Sequence, residues 1–145
     1  MDWFLLCNRK LLAMKNLLIC GLLICLLSSC LEKLDPDTLK NTKWELTELK
    51  GKMLPVSAKA TLNFNDSLRV SGKSFCNNYG GQAEITADKA SLKNIFGTKM
   101  FCQETAAEEN AFLSALSETN NAKMAGEKLE LLKGEQVLLV FTKVN

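Results

Sequence analysis

Val70-Ser71-Gly72-Lys73-Ser74-Phe75-Cys76-Asn77-Asn78-Tyr79-Gly80-Gly81 sets a cysteine, two asparagines, a tyrosine and a glycine pair between two strand-like runs. Before it, Ala60, Leu62 and Phe64 alternate with polar residues, Asn65-Asp66 makes a two-residue turn, and Leu68-Arg69-Val70 returns. That is a hairpin. After it comes Ala83-Glu84-Ile85-Thr86, another short strand. Turn chemistry accounts for the middle, because asparagine and glycine tolerate positive φ and a tyrosine can cap a core. Asn77, Asn78, Tyr79 and Gly81 would also suit a ligand-lining loop with close backbone approach, and this stands as the second reading.

Working outward, Trp44-Glu45-Leu46-Thr47-Glu48-Leu49 has the period of a half-buried strand. Downstream, Ser91-Leu92-Lys93-Asn94-Ile95, Ala122-Lys123-Met124-Ala125 and Lys128-Leu129-Glu130-Leu131-Leu132 are short strands. Gln136 to Thr142 is apolar on both faces and predicts a central strand. Gln103 to Asn120 changes period. Thr105-Ala106-Ala107-Glu108 is a capping box, and Ala111, Phe112, Ala115 and Leu116 form a helical stripe. The expected fold is α+β: a small, mostly antiparallel sheet or partly open barrel of about seven to eight strands, with one helix at about 105–119.

The sequence contains no histidine, which removes Ser-His-Asp and Cys-His catalysis and imidazole metal sites. No catalytic residue, metal ligand or cofactor is therefore expected. The first thirty residues hold Arg9, Lys10 and Lys15 against Asp2, leaving 15 basic and 15 acidic residues in the remainder. So even a balance gives no electrostatic case for nucleic acid. Glu108 and Glu109 adjoin in the first turn of the expected helix, where the macrodipole accounts for them without a glycosidase pair.

Met14-Lys15-Asn16 is a positive start followed by the apolar run Leu17–Leu27. That run has the length of a signal-peptide core and is too short to cross a bilayer as a helix. Leu27-Ser28-Ser29-Cys30 resembles the bacterial lipobox, in which the cysteine is acylated and becomes the new N-terminus. The expected organisation is a lipoprotein signal peptide over 1–29 with its true start at Met14, a lipidated Cys30 and polar tether over 30–42, and a folded domain over 43–145. Leu31 after the anchor is not an inner-membrane retention aspartate, so the outer membrane is favoured, facing the periplasm or the surface.

Four of the six cysteines fall in the first thirty residues, leaving Cys76 and Cys102. In an oxidising envelope these two suit a disulfide. A redox-active or metal-binding pair is the other option, without a CxxC spacing or a histidine to support it.

The residues also resemble the META domain of bacterial HslJ-like heat-shock and envelope proteins over most of 41–143. Trp44-Glu45-Leu46 with Gly51 is similar to the family's opening strand, and Ala60, Leu62, Phe64 with Arg69-Val70-Ser71-Gly72 to its hairpin. Phe75-Cys76-Asn77-Asn78-Tyr79-Gly80-Gly81 resembles its Gly-Cys-Asn-x-Tyr-x-Gly signature. Thr98-Lys99-Met100-Phe101-Cys102 resembles its Thr-x-Met-Ala-Cys element, and Glu109–Leu116 the following helix. Phe75 stands where the family has glycine and Phe101 where it has alanine. The resemblance implies an envelope-associated, stress-linked domain with no recognised catalytic centre. The expected function is a lipid-anchored, non-enzymatic domain binding an envelope protein or small ligand. Alternatives are a thiol redox protein using Cys76 and Cys102, a carboxylate hydrolase, and a protease inhibitor.

Overall fold

The computed structural model describes residues 34–55, 59–86 and 89–144, which fall in one unit, Leu31–Asn145. The expected signal segment and Cys30 lie outside the described residues.

A short helix α1 (Pro36–Leu39) leads into β1 (Lys43–Leu49), β2 (Lys52–Met53), β3 (Thr61–Phe64), β4 (Arg69–Ser74), β5 (Asn77–Thr86) and β6 (Lys89–Gly97). Helix α2 (Ala106–Glu118) follows, then β7 (Asn121–Ala125), β8 (Lys128–Lys133) and β9 (Gln136–Val144). The strands form one sheet in the order β6-β5-β4-β3-β1-β9-β8-β7, with β2 added to β1. Neighbouring strands pair antiparallel. The two edge strands β6 and β7 approach each other, and α2 packs on β6 and β9. The result is a sheet curled into a half-barrel with a helix laid along its inner side.

The physical logic is the expected one. Alternation along β1 and β3 buries Trp44, Leu46, Leu62 and Phe64 while their neighbours face outward. The doubly apolar run of β9 buries Leu138 to Phe141 between β1 and β8, so it is central, as its composition predicted. Phe112 of α2 is the hub of the core, edge-on to Phe75, Tyr79 and Phe141 at ring distances of 6.1, 5.6 and 6.4 Å. At Gly72 a Cβ would lie 2.0 Å from the Thr61 carbonyl oxygen, so only glycine lets β3 and β4 approach this closely.

Three expectations change. The signature stretch is not one broad turn: β4 runs to Ser74, the chain reverses at Phe75 and Cys76, and Asn77 already begins β5. Cross-strand pairing continues through Gly80, with a bulge between Gly80 and Gln82. Positive φ falls on Phe75 (φ 68) rather than on Asn77, Asn78 or the glycine pair. The capping box does not form: the Thr105 N–H donates to the Cys102 carbonyl rather than to Glu108. Thr105 is the N-cap residue, but its side chain makes no capping bond, and its hydroxyl is buried without a partner.

The third change is at the start of the domain, where the described part of the expected tether is packed. Leu34, Leu39 and Thr42 are buried. Trp44 donates its indole N–H to the Thr42 hydroxyl, which in turn donates to the Leu39 carbonyl. Two apolar side chains on an otherwise polar stretch were enough to bury it.

Candidate functional site

The reversal at Phe75–Cys76 brings the two expected cysteines together. Cys76 and Cys102 lie within disulfide distance, Cα atoms 6.2 Å apart across 26 residues. Beside them Asn77 turns inward and is buried. Its amide donates to the Met100 carbonyl (2.9 Å) and to Glu109 Oε2 (2.9 Å). Its Oδ1 accepts from the Thr98 hydroxyl (2.7 Å) and the Met100 N–H (2.8 Å). Two donor hydrogens and two lone pairs are all a carboxamide has, and every one is used inside the protein.

Glu109 lies in the first turn of α2, as expected, and is buried. Its Oε1 accepts from the Ser74 hydroxyl and from the Asn77 backbone N–H (3.1 Å). Burial pushes its pKa up, but the bonds from Ser74 and from the Asn77 side chain and backbone outweigh that and hold the carboxyl below its ordinary value of 4.5. The position near the start of α2 adds a favourable dipole. The signal was in the sequence: Glu109, Phe112, Ala115, Leu116 and Thr119 share one helical face, and Glu109 is the charged residue on that apolar stripe.

The other signature residues divide between the two faces of β5. Tyr79 points into the core, where burial holds its phenol well above its ordinary pKa. It therefore donates to the Thr61 carbonyl, at 2.8 Å. Asn78 faces outward, with its backbone tied to Thr98 in both directions. Gly81 packs under β6, where a Cβ would meet Ile95 at 2.6 Å and the Lys93 carbonyl at 2.9 Å.

Cys76, Asn77 and Cys102 thus meet at one corner, joined by Ser74, Thr98 and Glu109, which sequence reasoning did not select. Asn78, on the other face, borders a trough of about 770 Å³ over β4, β5 and β6. Its walls include Arg69, Ser71, Gln82, Asn94 and Phe96, none of them foreseen. Phe96 pairs across from Gly80 and lies against it, where a Cβ would come 2.9 Å from the ring. A second groove, of about 880 Å³, runs between α2 and the 98–102 loop, past the exposed Met100 and Phe101.

The META domain family model matches residues 37–145. A search of curated proteins finds no match. Among solved structures, an NMR structure of a protein from Burkholderia xenovorans is similar, with 23% identity, a TM-score of 0.63, and coverage of 79% of this chain and 94% of that one. Another NMR structure is similar at 20% identity and a TM-score of 0.62, covering 75% of this chain and 94% of the other. These likenesses support the half-barrel fold. With the family model spanning residues 37–145 and the cysteine corner in place, the chain belongs to the META domain family.

Proposed function

We propose that the protein is a lipid-anchored, non-enzymatic binding domain of the bacterial envelope, stress-linked as the family resemblance implies. It would hold an envelope protein or small ligand at the corner end of the half-barrel. The observation that carries this reading is the contrast between the two sides of β5. Inward, the polar groups of the corner are consumed by one another: Asn77 has no free donor or acceptor, and both oxygens of Glu109 accept bonds. Outward, Asn78, Gln82 and Arg69 are exposed around the open trough. A carboxylate held ionised by fixed donors is a poor proton shuttle, while a rigid wall behind an open trough suits recognition.

Photo-crosslinking in intact bacteria tests it, with a photoreactive residue replacing Gln82. The expected result is an adduct recovered from the membrane fraction, on a protein whose intact mass shows acylation and a start at Cys30. A soluble, unacylated product, or an anchored product without any adduct, would contradict the reading.

A further inference from the structure

The chemistry of the trough narrows the ligand, and the step rests on the binding reading just given. Four carboxamides border it (Asn65, Asn78, Gln82 and Asn94), with the Arg69 guanidinium and the Phe96 ring. Among the described lining residues there is no carboxylate, in a chain that carries 16 of them. Asn65 spends its oxygen on the Ser67 and Arg69 N–H groups, which leaves Asn78, Gln82 and Asn94, each with a donor and an acceptor side by side, as a pair of neighbouring hydroxyl groups also presents. A wall of carboxylates would demand a cationic ligand, whereas these carboxamides match a polyol.

Phe96 adds the apolar half of the match. One face of its ring lies on the bare backbone of Gly80, and the residue is nonetheless 71% exposed. Covering a glycine accounts for one face of the ring. The other is a flat apolar surface, held on an edge strand and rimmed by amides. The C–H face of a pyranose ring stacks on such a surface through buried apolar area and polarised C–H groups meeting the π-cloud. Arg69, the cation in the lining, offers its fork to a carboxylate or phosphate substituent.

We propose that the trough over β4–β6 is a carbohydrate site that takes a pyranose chain bearing an acidic substituent. The sugar stacks on Phe96, its hydroxyls exchange hydrogen bonds with Asn78, Gln82 and Asn94, and the anionic group meets Arg69.

The test is calorimetric titration of the full chain in a detergent without a sugar headgroup, using tri-galacturonate as the acidic probe and maltotriose as the neutral one. Tri-galacturonate is expected to saturate, and maltotriose to bind about tenfold more weakly. Phe96→Ala should weaken both by about tenfold, and Arg69→Gln should erase the difference between them. Thermal unfolding of each variant confirms that it is folded, and Gln82→Ala provides a second polar wall change expected to weaken both probes. Three results would each overturn the proposal: no saturation by either sugar up to about 10 mM, a folded Phe96→Ala variant that binds like wild type, or a capped hexapeptide saturating the trough in their place. A crosslinked partner recovered from position 82 despite such a failure would remove the carbohydrate and leave the anchored binding domain standing.

Discussion

At the scale of single residues, Glu109 and Phe75 mark where the chain departs from simple rules and why. Glu109 is buried among donors, so its ionised form is the one the fold recognises. Glu109→Gln would set an amide N–H against the N–H groups of Asn77, with a loss of about 2 kcal/mol at pH 7 in denaturant unfolding. The sign of its pH dependence follows from a folded pKa below the ordinary 4.5. Glu109's contribution is present in full above that value and is lost as pH falls through the lower folded pKa. The gap between wild type and Glu109→Gln should therefore narrow on acidification below pH 4.5. Phe75 sits at φ 68, which explains why the resembling family places glycine there: a side chain in this region costs about 1 kcal/mol. Phe75 offsets that cost by packing edge-on to Phe112. Phe75→Gly should consequently be about 1 kcal/mol more stable than Phe75→Ala, the reverse of the usual order in a strand, measurable by the shift in urea midpoint. The Glu109 effect had its signal in the apolar stripe that carries it, but the Phe75 effect did not, since the phenylalanine-for-glycine exchange named the position and not its backbone angle.

At the scale of elements, alternation was a good guide wherever one face of a strand meets the core. It placed β1, β3 and β8, and the doubly apolar β9 declared itself central. It failed on β5, because Asn77, Gly80 and Gly81 have the composition of a turn while cross-strand pairing with β4 and β6 keeps them extended. It failed again on α1, whose four residues are too few for a helical period. The burial of Leu39 makes α1 part of the fold, and Leu39→Ala is expected to cost about 2–5 kcal/mol. A Leu39→Ala protein as stable as wild type in thermal unfolding would return the segment to the status of a tether. The link between the 98–102 loop and β5 carries a second expectation. Closing a loop across 26 residues stabilises by about 3 kcal/mol in the chain-entropy picture. Reduction, or Cys102→Ser, should lower the unfolding midpoint accordingly while the Asn77 bonds keep the loop in register. Two freely titrating thiols in the unreduced protein would refute the bridge.

At the scale of the whole domain, the two ends of β5 separate two tasks. Leu39 packs beside Ile85, Ala90 and Leu92 at one end, and the cysteine corner stands at Asn77, about 25 Å away along the strand. Asn78, Tyr79 and Gly81, the ligand-lining candidates of the sequence, do border the trough, whereas Arg69, Gln82, Asn94 and Phe96 were illegible because they come from three strands and converge only when the sheet forms. The corner was legible as a motif, and its inward use was not. The proposed function divides the two, with the corner as architecture and the trough beside it as the face proposed to bind. Equilibrium urea unfolding of Asn77→Ala beside Gln82→Ala tests it most directly. Asn77→Ala should lose about 2–4 kcal/mol, because Glu109 and the 98–100 backbone lose their partners, and Gln82→Ala should stay within about 0.5 kcal/mol of wild type. An Asn77→Ala protein as stable as wild type would contradict the account and mark Asn77 as a residue kept for a ligand.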